Sequence, residues 1–107
     1  MRLLCEGKES ERIFVVEDGK QVIGFIYYLL KLDSQSGEIG INAVHPNHQG
    51  KGIGVMMYHY VLEQMRAQGM NYAEVSTGGD SLHVPARHAY EKVGFVPLPL
   101  FRYYKTL

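Results

Sequence analysis

The sequence predicts an α/β fold of mixed α+β type, in which a central sheet of antiparallel and parallel strands carries helices on its faces. Three observations point to it. Two β-rich segments meet at Asp18-Gly19, a dipeptide favoured in two-residue hairpin turns. From Gly52 to about Gln68 the apolar residues recur at steps of three and four, the period of a helix lying on a sheet. Around these, extended and helical patterns alternate, and the chain reads strand, strand, strand, helix, strand, helix, strand. At 107 residues it should be one domain, burying about 60–70% of the surface that its unfolded form exposes.

Each element follows from local chemistry. Residues 12–17 and 21–32 are the hairpin strands. The second is apolar on both faces, with Val22, Ile26, Tyr28 and Leu30 against Ile23, Phe25, Tyr27 and Leu29, which predicts a central strand. Asp33 to Gly37 has loop composition. Over 38–45 the side chains alternate, Ile39, Ile41 and Ala43 on one face and Glu38, Asn42 and Val44 on the other, which predicts a core face and a cleft face. The helix carries Ile53, Met56, Met57, Tyr60, Val61 and Met65 on its buried stripe and stops at Gly69. Tyr72 to Thr77 is a further strand, and Gly78-Gly79-Asp80 a turn. Pro85 sits early in a short helix with Ala86, Ala89, Tyr90 and Val93 on one face, ended by Gly94. Pro97 and Pro99 cannot donate to a ladder, so the last extended segment should lie at an edge or contain a bulge before Phe101 to Lys105 resume pairing.

Composition excludes several function classes. Eleven Lys+Arg balance eleven Asp+Glu, against the basic excess of a nucleic-acid binder. Glu6 interrupts the apolar start Leu3-Leu4-Cys5, so no secretory signal is expected, and no apolar run approaches membrane-spanning length. A single cysteine excludes an internal disulfide and a multi-cysteine metal site. Of His45, His48, His59 and His88 only His45 and His48 are close in sequence, and no Cys or carboxylate stands beside them at ligand spacing, so no metal is expected. The expected compartment is the cytoplasm.

Chemistry concentrates at Gln49-Gly50-Lys51-Gly52-Ile53-Gly54, where an extended apolar run gives way to the helix. Glycine lets a ligand approach the main chain closely, and the N–H groups of a helix start have no intrahelical acceptor, so a phosphate docks there readily. Gly52 and Gly54 in the first turn each cost about 0.5–1 kcal/mol relative to alanine. Two nucleotide loops fail on residues. A Walker loop needs Ser or Thr after Gly-Lys, and Gly52 follows Lys51; a Rossmann fingerprint needs Gly or Ala where Val55 stands.

The stretch resembles the pyrophosphate loop of the GNAT superfamily of acetyl-CoA-dependent N-acetyltransferases: Gln or Arg, two residues, Gly, one residue, then Gly or Ala. Gln49, Gly52 and Gly54 satisfy it. Upstream, Asn42-Ala43-Val44-His45-Pro46 resembles the family strand that receives the pantetheine arm. Downstream, Ala86 to Phe95 is similar to the family's second signature, an alanine followed by Tyr-Glu-Lys-x-Gly-Phe. The resemblance covers about residues 38–96 and implies splayed strands forming a V-shaped acetyl-CoA cleft. It implies cofactor contacts at Ala43, Val44, Gln49, Gly50, Lys51, Gly52, Ile53 and Gly54, and at His83, which occupies the position of a usual family asparagine seven residues before Tyr90. Only about a dozen residues precede the hairpin. The family's first strand and two acceptor-walling helices therefore do not fit, residues 1–11 are expected to be loose, and either this is a minimal member or a partner subunit supplies the wall.

The reaction itself sets further requirements. An amine of pKa about 10.4 is neutral in under ~1% of molecules at pH 7, a penalty of about 4–5 kcal/mol for attack on a thioester, so a base is useful. Glu38 resembles the family glutamate that takes the proton. The backbone N–H near Val44 is the natural donor to the oxyanion. Tyr90 matches the family tyrosine that protonates the departing thiolate; a thiol of pKa about 8.5 leaves fairly well unaided, so the gain should be modest. Lys51 is a point charge for a phosphate, and Gln49 a loop organiser. The expectation is an N-acetyltransferase acting on a small-molecule or peptide amine. The alternative is a non-catalytic acyl-CoA-binding module. Homodimerisation is a further expectation, motivated by the short N-terminus and the aromatic segment Phe101, Tyr103 and Tyr104.

Overall fold

The structure, a computed structural model, describes residues 2–6, 10–79 and 81–107, the first five by their backbone alone. Five strands form one sheet in the order β1 (Arg2–Glu6), β2 (Glu11–Asp18), β3 (Gln21–Lys31), β4 (Ser36–Val44) and β5 (Tyr72–Val75). Each of the first four is antiparallel to its neighbour, and β5 is parallel to β4. That parallel step requires a crossover, supplied by helix α1 (Ile53–Ala67). Helix α2 (Val84–Lys92) follows β5. No helix among the described residues is long and apolar enough to cross a membrane.

The core lies between the sheet and α1. Phe14 and Val16 of β2, Ile26, Tyr28 and Leu30 of β3 and Ile39 of β4 are buried against Ile53, Met57, Tyr58, Val61 and Met65 of α1. Phe14 also stacks on Tyr60, ring centroids 4.1 Å apart. The predicted central strand and helix therefore form, with Tyr58 in the stripe. At Gly37 the sheet has no room for a side chain: a Cβ there would overlap the Met65 side chain. Because Met65 is only 2% exposed, it has little room to yield. Gly37→Ala should cost about 1–3 kcal/mol of stability from overpacking, measured by urea denaturation; a variant as stable as the parent would show that Met65 moves freely.

One irregularity of β4 positions the site. Tyr28 pairs with Ile39 and Ile26 with Asn42, so Gly40 and Ile41 together oppose Tyr27 in a β-bulge. The expected alternation thus reverses midway. Gly37 and Ile39 face α1, whereas beyond the bulge Asn42 and Val44 take over that face and Ile41 turns outward, 75% exposed. The period-2 reading that put Ile41 and Ala43 in the core fails because the extra residue shifts the pleat. Downstream of the bulge β4 also loses its parallel partner. The β4–β5 ladder runs only from Ser36↔Tyr72 to Ile39↔Val75, and among the described residues no strand pairs with Gly40–Val44 on that side. The sheet splays open there.

Both chain ends differ from expectation. Arg2–Glu6, expected to be loose, pair along β2 from Arg2↔Glu17 to Glu6↔Ile13, since ladder pairing uses the backbone and covers an edge that β2 would otherwise expose. Met1 and residues 7–9 lie outside the described residues, as does Asp80 of the expected turn. The expected last strand does not form: from Val96 onward the chain carries no strand, and Leu98, Leu100, Phe101, Tyr103 and Tyr104 are exposed. Pro97 and Pro99 remove two ladder donors from it. The strand expected over Tyr72 to Thr77 is also shorter, ending at Val75 where the sheet opens.

Candidate functional site

The junction between β4 and α1 is built around main-chain groups. After β4, Pro46–His48 forms a single 3-10 turn in which His45 Nδ1 accepts from the Asn47 N–H. Gly50 and Gly52 then take φ of +81° each, a region that side chains with a Cβ enter only under strain, and nothing lies within 4 Å of where their Cβ atoms would stand. Gly52 is the N-cap of α1, which has no side-chain cap and no acidic residue in its first turn. The first intrahelical bond runs from the Met56 N–H to the Gly52 carbonyl at 3.0 Å. The amides of Ile53, Gly54 and Val55 precede it at the positive end of the helix dipole and suit an anion. Ile53 is buried as the anchor of this turn, and Lys51 is exposed beside it.

The splayed end of β4 faces this helix start. A Cβ on Gly54 would lie 3.9 Å from Val44 Cγ2. The His45 N–H donates to the Ile23 carbonyl across β3 at 2.7 Å. Since successive residues of a strand point their main-chain groups to opposite sides, the N–H and C=O of Val44 point away from β3, into the opening. Gln49 Nε2 donates to that carbonyl at 3.1 Å. Gln49 is thus the loop organiser expected of it, and its amide ties the loop to β4 while leaving the Val44 N–H directed into the opening. The residues Val44, Gln49, Gly52 and Gly54 come together; Ala43, on the outward face, is exposed. His83 ends the 3-10 turn Ser81–His83 and is the N-cap residue of α2.

Tyr90 reaches the same strand from α2. It is 8% exposed, and the helix ends beyond it in a Schellman turn: Phe95 N–H bonds the Tyr90 carbonyl at 3.1 Å and Gly94 N–H bonds that of Glu91 at 3.0 Å, with Gly94 at φ +104°. The turn brings Phe95 against the Tyr90 ring, centroids 6.0 Å apart. On the other side Tyr90 meets Tyr58 of α1 at 4.9 Å. Both hydroxyls converge on Asn42, whose Nδ2 donates to Tyr90 Oη at 3.3 Å and whose Oδ1 accepts from Tyr58 Oη at 2.8 Å. The Tyr58 phenol is raised well above its ordinary value, first by burial and then by the adjoining Tyr90. Neither Asn42 nor Tyr58 stood out in the sequence as a site residue. The available signal was a lone amide in an apolar strand, which needs partners once half-buried.

Glu38 lies on the opposite face of β4 from Tyr90, one pair short of the splay. Lys31 Nζ donates to Glu74 Oε1 at 2.6 Å and stands 3.2 Å from Glu38 Oε1. These hydrogen bonds, Glu74's first and then Glu38's, hold the Lys31 ammonium above the usual lysine range. Tyr27, on the same face, is also raised, by desolvation, then by Glu11, then by Glu38. Among the described residues no group of three or more His, Cys, Asp or Glu side chains is arranged to hold a metal ion.

Comparison with known proteins agrees with this geometry. Residues 2–95 match the Acetyltransferase (GNAT) family. The mycothiol acetyltransferase of Beutenbergia cavernae is 31% identical over 90 residues, which are 84% of this chain and 30% of that protein. The mycothiol acetyltransferase of Gordonia bronchialis is 29% identical over 81% of this chain and 28% of its own length, so the chain spans under a third of these relatives. Among solved structures, an IAA acetyltransferase from Bacillus cereus is 31% identical, with TM-score 0.75 over 85% of this chain and 59% of that one. The aminoglycoside N-acetyltransferase AAC(6')-Iy in complex with CoA shares the fold at TM-score 0.80 and 14% identity, over 94% of this chain and 78% of that one. With an uncapped glycine-rich helix start beside a splayed strand, a tyrosine on the following helix and a family match spanning nearly its whole length, the chain belongs to the GNAT acetyltransferase family.

Proposed function

We propose that the chain binds acetyl-CoA at the β4–α1 junction and transfers the acetyl group directly to a primary amine. The observation that carries this is the set of main-chain donors gathered there: the amides of the Gly50–Val55 turn for a diphosphate, and the Val44 N–H facing the opening between β4 and β5. The residues fit the cosubstrate, because positive-φ glycines with open space around them allow a phosphate to reach the backbone. In this reading the neutral amine attacks the thioester carbonyl, and its excess proton passes to Glu38, directly or through water. The oxyanion accepts a hydrogen bond from the Val44 N–H. When the C–S bond breaks, the thiolate takes the Tyr90 hydroxyl proton, giving free CoA and an acetamide. His83, at the start of α2, would meet the cofactor arm.

A second reading has its own observation. The face of the sheet away from α1 carries Ile41 at 75% exposure, with Val22 and Ile13 also exposed, so among the described residues nothing walls an acceptor on that side. A non-catalytic acyl-CoA-binding module fits that bareness. The two separate in one assay: release of CoA thiol from acetyl-CoA in the presence of polyamines, aminoglycosides, lysine and peptide N-termini. Thiol release dependent on one amine class is the expected result. Tight CoA binding with no release across the panel would leave the module.

A further inference from the structure

We infer that Asn42 is a positioning residue that orients the hydroxyl of Tyr90, with Tyr58 locking the amide in place; this rests on Tyr90 being the proton donor in the proposed reaction. The side-chain amide of Asn42 has one oxygen and two N–H groups, and all are engaged. Nδ2 donates to the Gly40 carbonyl at 3.0 Å and to Tyr90 Oη at 3.3 Å, and Oδ1 accepts from Tyr58 Oη at 2.8 Å. The Gly40 carbonyl can only accept, so it fixes which end of the amide is nitrogen. The rest follows in sequence. The oxygen must face Tyr58, which must donate its single hydrogen to it. The second N–H must face Tyr90, whose oxygen accepts. Tyr90's own hydrogen is therefore the one proton in the cluster that the amide does not hold, and the Asn42 N–H remains in place to bond the phenolate that is left when that proton goes.

The bulge makes this possible. Gly40 belongs to the inserted pair of residues, and the resulting phase shift turns Asn42 from the outward face toward α1 and α2. One irregularity thus splays the sheet, presents the Gly40 carbonyl to the amide and aims the amide at both tyrosines. Burial tightens the arrangement, since Tyr58 is 6% and Tyr90 8% exposed and an unmet hydrogen bond there is costly.

The test is a double-mutant cycle on kcat, measured as CoA thiol release from acetyl-CoA with the panel amine that turns over fastest. Asn42→Leu, close in shape but unable to bond, should lower kcat by about ten-fold or more with the KM for acetyl-CoA unchanged. Combined with Tyr90→Phe it should add nothing to the loss from Tyr90→Phe alone, because Asn42 acts through that hydroxyl. Tyr58→Phe, which removes one oxygen and preserves packing, should give the same pattern at smaller size and keeps the test open should Asn42→Leu unfold. Losses that multiply in the double variants would make Asn42 and Tyr58 merely structural and overturn the inference while leaving Tyr90 as the acid. A fully active Tyr90→Phe, or no thiol release with any amine, would overturn the proposed reaction and this inference with it.

Discussion

Gly54→Val should leave the protein folded and lower its affinity for coenzyme A by at least ten-fold, about 1.4 kcal/mol. The backbone at Gly54 is helical, and a Cβ there would meet only Val44 Cγ2 at 3.9 Å, an ordinary contact. Valine is no worse a helix former than glycine, so stability should change by only a few tenths of a kcal/mol. The branched side chain would nevertheless stand between the start of α1 and the end of β4, where a diphosphate must reach the amides. Gly52→Val is a poorer probe, because φ of +81° would strain the fold by about 1–3 kcal/mol and confound the two effects. Calorimetric titration with CoA beside a thermal melt checks this; unchanged affinity in a folded Gly54→Val would place the cosubstrate elsewhere.

Tyr90→Phe should lower kcat by about 10²-fold, the lower end of the range for general acid catalysis, while the KM for acetyl-CoA stays put. The ring contacts with Tyr58 and Phe95 survive the substitution. What is lost is a proton donor and the acceptor of one Asn42 N–H, which costs about 1–3 kcal/mol of stability for a buried unmet group. Steady-state kinetics with the most active panel amine measure the first effect and urea denaturation the second. A variant as fast as the parent would return Tyr90 to packing alone.

The glycine stretch, α1 and the strand–helix order were legible because each rests on local chemistry: backbone freedom, hydrophobic period, turn residues. The approach of Tyr90 to β4 was legible only through its surrounding signature. The bulge at Gly40-Ile41 was not: a lone glycine inside a strand pattern can mark one, but Ile39, Ile41 and Ala43 run through it at an unbroken period of two. Without the bulge, the period of two puts Asn42 on the face of Glu38; the extra residue turns it to the opposite face, where it bridges Tyr58 and Tyr90. Arg2–Glu6 escaped for a related reason: edge pairing draws on backbone groups that every residue has. Val96 to Leu107 erred the other way, apolar enough to suggest a strand while its prolines work against one.

Backbone amide shifts on titration with CoA test the central claim most directly. The account predicts that the largest changes fall at Gly50, Gly52, Ile53, Gly54 and Val55, with a second group at Val44 where β4 faces the opening. Changes centred on any other surface, or none at saturating CoA, would contradict it.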